Sequence, residues 1–232
     1  MMLIGGGSTP PEAMQRFISL AGGPDALILI LAFSSEDADA AGKRSVDFWK
    51  ENGARNVQHG VDNLPALIEK SKGIYLPGGD QNRFFERFSD QSPVADAMRK
   101  ALAKGAVVGG TSAGCSLMGE MMPTGAAPAP FKKGGAPVSK GLGLLPGIIA
   151  DQHFLARDRL MRLITAVIER PNLTGIGIEE RSWAVVTGRQ LEVGGGQAIV
   201  VKALAKARSK GDLLGCDRLE LKALYEGDRV RL

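Results

Sequence analysis

The chain is poor in cysteine and histidine. Its 232 residues contain only two cysteines, Cys115 and Cys216, and neither their number nor their spacing matches a disulfide framework or a metal site. We therefore predict no metal and no cofactor. Only two histidines are present, His59 and His153, so a reaction that needs an imidazole base has two candidates.

Long apolar runs and a strong net charge are also absent. No segment approaches the roughly 18 apolar residues of a membrane span, and the first residues, MMLIGGG, have neither the charged nor the apolar region of a secretion signal. The net charge is only +4, and the cations between Lys202 and Lys210 are interpreted as decorating a solvated turn. We expect a cytoplasmic protein that binds neither nucleic acid nor membrane.

The composition, 44% hydrophobic and 23% charged, is that of a single soluble domain spanning residues 1–232. Short apolar runs alternate with amphipathic segments, which predicts a three-layer α/β fold with a mostly parallel sheet covered on both faces. Hairpin patterns from about residue 183 predict antiparallel strands at the end. The aperiodic stretch 119–141 is expected to be a mobile loop over the cleft. Predicted strands lie near residues 2–4, 26–33, 55–58, 73–76, 106–109, 146–150 and 174–178, and predicted helices near 11–21, 38–52, 81–89, 93–104 and 158–169.

A serine lies at a sharp strand-to-helix turn within GAVVGGTSAGCSLMGE, residues 105–120. Gly110 to Gly114 have the G-x-S-x-G pattern after a β-branched run, and the small flanking residues permit a turn that lifts the hydroxyl clear of the sheet edge. Ser112 is therefore the candidate nucleophile, whereas Cys115 lies beyond the centre of the turn. The other interpretation is a Gly-rich turn that packs tightly or cradles an anion.

A serine nucleophile needs a base and a group that orients the base. His59 lies in a polar stretch and is interpreted as a surface loop residue. His153 follows an apolar run that predicts a buried strand, and because ligands bind at the carboxyl ends of such strands, His153 and Ser112 should project from the same sheet edge. Another predicted strand ends at Glu179 and Glu180, and either can supply the carboxylate if the pair is not a solvated turn. The order Ser, His, Glu differs from that of the α/β-hydrolases.

Four motifs, YLPGGDQNRF, GGTSAG, DQHF followed by R-x-R-x-x-R, and GIGIEE, occur in this order along the chain. With them the chain resembles the cyanophycinase branch of the serine peptidases that also include the aspartyl dipeptidases. The resemblance runs from the glycines at 5–7 to YEGDRVRL at the end. It implies a flavodoxin-like or class I glutamine amidotransferase-like sheet and a homodimer. It assigns the nucleophile to Ser112, the base to His153 and the orienting acid to Glu180.

Backbone donors for a reacting oxyanion are predicted beside Ser112. The turn after the strand at 73–76 can direct N–H groups into the cleft, so the N–H groups of Gly79 and Ala113 form the candidate oxyanion hole. The other interpretation is an ordinary turn in which Asp80 caps the next helix.

Three arginines make a candidate clamp for a substrate carboxylate. If Asp158 caps the helix that follows it, Arg159 and Arg162 lie on one face of the first turns, with Arg157 nearby. The resemblance implies that these arginines hold the aspartyl part of a β-linked Asp-Arg unit. It adds four further substrate-binding residues, Asp80, Gln81, Asp151 and Gln152.

Together these features predict a serine peptidase that cleaves β-aspartyl linkages, in cyanophycin or its β-Asp-Arg dipeptide, through an acyl-enzyme on Ser112. One alternative is an aspartyl dipeptidase that acts on an α-linked N-terminal aspartate. The other is a non-catalytic small-molecule binder that uses the serine turn as an anion site.

Overall fold

The computed structural model describes residues 1–125 and 128–232. Its helices are α1 Pro11–Ala21, α2 Ala38–Glu51, α3 Leu64–Lys70, α4 Gln81–Arg87, α5 Pro93–Ala103, α6 Ala113–Leu117 and α7 Leu160–Glu169. Its strands are β1 Met2–Ile4, β2 Ile28–Ile30, β3 Val57–His59, β4 Gly73–Leu76, β5 Val107–Thr111, β6 Gly119–Pro123, β7 Val138–Lys140, β8 Leu145–Gln152, β9 Thr174–Ile178, β10 Trp183–Thr187, β11 Gln190–Gly195, β12 Gln197–Ala203, β13 Ala207–Lys210, β14 Leu213–Cys216, β15 Leu219–Tyr225 and β16 Arg229–Arg231. None of the helices in these two ranges is long and apolar enough to cross a membrane.

The larger sheet has the strand order β16-β11-β10-β1-β5-β4-β2-β3. Strands β1, β5, β4, β2 and β3 run parallel, and β10, β11 and β16 add antiparallel strands at one end. Helices α1 and α2 cover one face through a cluster that includes Phe17, Ile18 and Trp49. Helices α3 and α5 cover the other face, with Ile68 and Met98 in the core. This arrangement confirms the predicted α/β class and the antiparallel strands near the C-terminal end.

A second sheet, in the order β15-β12-β9-β8-β6-β7, packs beside α3 and α5 on that same face. Helix α7 covers its outer surface, where Leu163 and Val167 meet Ile149 and Val201. The strands predicted near 146–150 and 174–178 therefore belong to this sheet and not to the one that carries Ser112. The sequence does not separate the two cases, because a strand buried on both faces is equally apolar in either sheet.

Both ends of the stretch 119–141, which the sequence predicts to be a mobile loop, form strands. Strand β6 pairs in parallel with β8, and β7 pairs with β6 in the antiparallel direction. These strands are too short and irregular to show a clear period, and they form because β8 offers a hydrogen-bonding edge. Residues 126 and 127 of the predicted loop lie outside the described residues.

Candidate active site

Ser112 lies between β5 and α6 in a strained backbone conformation, with φ 52° and ψ −115°. The flanking glycines permit the turn. A Cβ on Gly110 would lie 2.6 Å from the carbonyl carbon of Gly114, and a Cβ on Gly114 would overlap the carbonyl oxygen of Leu76. The Ser112 N–H donates to the carbonyl of Ile4 at 3.1 Å, so the turn is held at the end of β1. The short distances explain why this sequence has glycine on both sides of the serine.

His153 approaches Ser112 from the second sheet. It follows β8 directly, so the prediction that both residues project from one sheet edge is wrong. The two sheets meet at this point, however, and His153 Nε2 lies 2.9 Å from Ser112 Oγ. Its Nδ1 bonds to Oε1 of Glu180, just beyond β9. Because the carboxylate accepts a hydrogen bond from the Nδ1–H group, the ring proton stays on Nδ1 and Nε2 is left as the acceptor for the serine hydroxyl.

The neighbouring acid has different partners. The carboxylate of Glu179 accepts the backbone N–H groups of Leu155 and Ala156, the latter at 3.1 Å from Oε2. These bonds fix the turn that follows His153. Glu180, the acid to which the family resemblance assigns the orienting role, is therefore the one of the two that contacts the imidazole.

Two other titratable side chains do not join this group. Cys115 is fully buried, and burial raises the pKa of its thiol, so the thiolate needed for nucleophilic attack is disfavoured. His59 is not the surface loop residue that the sequence predicts. Its side chain is 9% exposed because the ring packs on Gly42 of α2, and burial lowers its pKa.

The two predicted oxyanion donors belong to turns that meet at the serine, because a Cβ on Gly78 would lie 3.3 Å from the Cβ of Ser112. Gly79 has φ 143°, and the next N–H, that of Asp80, donates to the carbonyl of Ser34 at 2.8 Å, which holds the turn. Within the described part of the chain, no acceptor meets the Gly79 N–H. Ala113 is the first residue of α6, where an N–H has no partner inside the helix. Both donors are available, and their use as an oxyanion hole stays a prediction.

Asp80 and Gln81 are partly committed to structure. Asp80 caps α4 by accepting the Asn82 N–H at 2.8 Å, and Gln81 Nε2 donates to the carbonyl of Pro123 at 2.8 Å. The Gln81 bond ties α4 to the end of β6. One carboxylate oxygen of Asp80 and the amide oxygen of Gln81 are left for a ligand.

The predicted arginine clamp contains an internal carboxylate. Arg162 binds both oxygens of Asp151, with Nε 2.8 Å from Oδ2, while Arg159 lies 3.5 Å from Oδ1 and bonds to the carbonyl of Gln152. Asp151 is 0% exposed, so the prediction that it binds substrate directly is wrong. Its charge instead holds the two arginines together. Asp158 is also not a cap, because its φ of 49° places it before the helix, which begins at Leu160.

The three arginines differ in how far they are paired and buried. Asp151 is the acid within ion-pair distance of Arg159 and Arg162, and Arg157 is exposed with no ion pair among the residues that the structure describes. Burial lowers the pKa of Arg159, and the charge of Arg162 lowers it further. Gln152 is 5% exposed, and its amide oxygen lacks a partner in the described residues. A cluster of this kind favours an anionic ligand.

The described residues include no group of three or more His, Cys, Asp or Glu side chains that could hold a metal ion. Sequence reasoning assigned no site role to the glycines at 5–7, which pack against His153 and the Glu180 loop. The one signal that the sequence offers for them is the run of three consecutive glycines.

The chain is similar to proteins of one peptidase family in sequence and to a solved peptidase structure in fold. The model of the family described as Peptidase family S51 matches residues 32–194. The chain is 34% identical over 238 residues to the cyanophycinase of Geminocystis herdmanii, covering 94% of this chain and 87% of that protein. It is 32% identical over 199 residues to the cyanophycinase of Synechococcus elongatus, covering 80% of this chain and 62% of that protein. The crystal structure of a peptidase from an acI-B1 Actinobacterium superposes with a TM-score of 0.69 at 17% identity, covering 100% of this chain and 96% of that one.

Proposed function

The chain belongs to peptidase family S51 and is a serine-type peptidase, and from that premise we propose that it hydrolyses β-aspartyl peptides through Ser112, His153 and Glu180. One observation carries the proposal. A continuous hydrogen-bonded series runs from the Ser112 hydroxyl through both imidazole nitrogens to Glu180, beside a cluster of arginines. A binding protein has no need of this arrangement, which matches the nucleophile, base and orienting acid of acyl transfer.

Each residue of the series has a role in the proposed reaction. Ser112 Oγ attacks the scissile carbonyl while His153 Nε2 takes its proton, and Glu180 stabilises the imidazolium. The N–H groups of Gly79 and Ala113 donate to the oxyanion that forms. His153 then protonates the leaving amine. In the second half of the reaction water attacks the acyl carbonyl while His153 again acts as the base, and the acyl group is released from Ser112.

The proposed substrate is cyanophycin or its β-Asp-Arg unit. The relatives named above are cyanophycinases, and the guanidinium groups of Arg157 and Arg159 suit a peptide that carries a carboxylate next to the reacting aspartyl residue. In β-Asp-Arg the aspartyl α-carboxylate is free. In an α-linked aspartate that carbonyl belongs to the peptide bond.

A substrate comparison tests the proposal. The purified protein is offered cyanophycin, β-Asp-Arg and α-Asp dipeptides, and kcat/KM is measured for each. We expect the β-aspartyl substrates to be preferred, with free arginine among the products, because hydrolysis of the β linkage releases it. Release of intact β-Asp-Arg from cyanophycin would show instead that the main-chain bond is cut, which would contradict the proposed β-aspartyl cleavage. A preference for α-Asp dipeptides would replace this proposal with the aspartyl dipeptidase function, and inertness toward all three would support the binder.

The arginine cluster yields a prediction about binding. In a Ser112→Ala background, which cannot turn over substrate, Arg157→Ala should raise the Kd of β-Asp-Arg about 10- to 100-fold, as expected for the loss of a hydrogen bond to a charged group. Amidation of the aspartyl α-carboxylate should raise the Kd similarly, and the two effects should not add, because both remove one contact. Calorimetric titration measures both. Fully additive effects would exclude this contact.

Arg157 is chosen because it has no internal ion pair in the described chain. Arg162→Ala serves as the contrast, since it leaves the buried Asp151 carboxylate unpaired. That change should lower thermal stability as well as affinity.

We also propose that the protein is a homodimer. An apolar stripe of four side chains lies on one face of β15 at the edge of the second sheet, comprising Leu219, Leu221, Ala223 and Tyr225. All four are exposed, Tyr225 by 67%, while Glu220 and Lys222 occupy the more covered face. A row of exposed apolar side chains on a strand edge is typical of an interface.

The stripe is tested by Leu221→Arg combined with Tyr225→Asp. Light scattering should give the mass of a dimer for the wild type and of a monomer for the double variant, with unchanged circular dichroism. Val61→Arg is the control, because Val61 is 53% exposed on another part of the surface. A monomeric wild type, or a double variant that remains dimeric, would contradict the proposal.

A further inference from the structure

We propose that the turn formed by Gly5, Gly6 and Gly7, here named the glycine turn, positions the imidazole of His153 by packing against the ring. This inference rests on the proposed function. It assigns a role in the reaction to residues far from the serine turn in the sequence, and Gly6 is its central member.

The glycine turn joins the three chain segments of the candidate triad. The carbonyl of Ile4, just before it, accepts the Ser112 N–H at 3.1 Å. The carbonyl of Gly5 accepts the His153 N–H at 2.6 Å, and that of Gly6 accepts the Arg181 N–H at 2.9 Å. Ser112, His153 and the loop with Glu180 follow strands from two different sheets, so their common reference is this stretch of backbone.

Gly6 lies directly against the imidazole ring. A Cβ at this position would overlap the Cε1 and Nε2 atoms of His153 and would lie 2.9 Å from its Cδ2. A Cβ on Gly7, by contrast, would lie 3.4 Å from the Cβ of Glu180, an ordinary contact. The ring therefore rests on bare backbone at Gly6. Any side chain there displaces Nε2, the atom that faces the Ser112 hydroxyl.

Two glycines of nearly equal φ make a matched test. Gly6 has φ +102° and Gly23 has φ +106°, but a Cβ on Gly23 would meet nothing within 4 Å. Alanine introduces similar backbone strain at both positions. Only Gly6→Ala adds contact with the imidazole. The difference between the two variants therefore measures the effect of that contact separately from the effect of backbone strain.

The readout is the rate at which a fluorophosphonate modifies Ser112. A bond forms between Oγ and phosphorus, fluoride leaves, and His153 takes the serine proton, so the rate reports the Ser112–His153 pair without a peptide substrate. We expect Gly6→Ala to slow labelling about 100-fold, the effect of a small misplacement of a reacting group, and Gly23→Ala to leave it unchanged. Labelling of Gly6→Ala at the wild-type rate would overturn the inference.

A double-mutant cycle of thermal stability tests whether the ring packs on Gly6 even if Gly6→Ala folds poorly. With the ring removed by His153→Ala, Gly6→Ala should lower Tm no more than Gly23→Ala does, by about 2 to 4 °C. With His153 present the loss should be larger. Equal losses in the two backgrounds would show that the ring does not rest on Gly6. A wild-type protein that resists labelling would overturn the proposed function. The stability cycle would still test whether the glycine turn positions the His153 ring.

Discussion

We expect Ser112→Ala to abolish turnover, with a fall in kcat of roughly 10⁴-fold or more and little change in substrate affinity. The reason is that alanine leaves the N–H groups and the arginines in place but removes the atom that forms the acyl bond. Steady-state kinetics on the preferred substrate measures kcat, and calorimetry measures the affinity. A Ser112→Ala protein that retains substantial kcat would refute the assignment of the nucleophile.

Two neighbours in helix α6, directly after the serine turn, serve as controls. Ser116 is 1% exposed, and its hydroxyl has no partner in the described chain, so Ser116→Ala should leave activity and stability nearly unchanged. Cys115→Ala should also retain activity, because burial raises the pKa of that thiol and keeps it protonated. If either control loses activity while Ser112→Ala keeps it, the nucleophile lies elsewhere in the turn.

Glu180→Gln should have the next largest effect, a fall in kcat of about 10²- to 10⁴-fold. An amide at this position can donate to His153 Nδ1, which shifts the ring proton to Nε2. Nε2 then points a hydrogen at the serine and no longer accepts its proton. An amide also cannot stabilise the imidazolium. Substrate affinity should remain close to that of the wild type, because Glu180 contacts the histidine.

Glu179→Gln is the matched control, one residue earlier. Its carboxylate accepts the N–H groups of Leu155 and Ala156, and the amide oxygen of glutamine can still accept from them. We expect a milder loss of kcat, within about tenfold, of the size that follows from weakening a charge-assisted hydrogen bond. The reverse ranking of the two variants would move the orienting role to Glu179.

The sequence predicted best where a structure depends on neighbouring residues. Helix α1 has the bounds that its amphipathic pattern predicts, and α2, α4 and α5 begin at the predicted residues. The serine turn was recognisable because the glycines at 110 and 114 are required by contacts inside the turn itself. Both are effects of local geometry, which a short stretch of sequence contains.

Errors arose where the partner of a residue is distant in the chain. Asp151 has the appearance of a ligand in DQHF, yet it is buried by Arg162, whose position depends on how α7 packs on the second sheet. His59 reads as a loop residue, but Gly42 of another element gives its ring a place to pack. A sequence pattern does not reveal which distant residue will satisfy a charge or cover a ring.

The sequence by itself determined the family resemblance, the α/β class, the strained serine turn and the short list of candidate bases and acids, because these depend on residue type and local spacing. Only the tertiary structure decided that His153 reaches Ser112 from a second sheet, that the Glu179 carboxylate binds the turn after His153, and that Gly6 lies against the imidazole ring. These relations arise from the packing of one sheet against another. Packing depends on the whole chain, since each buried surface is complementary to residues from several separate elements.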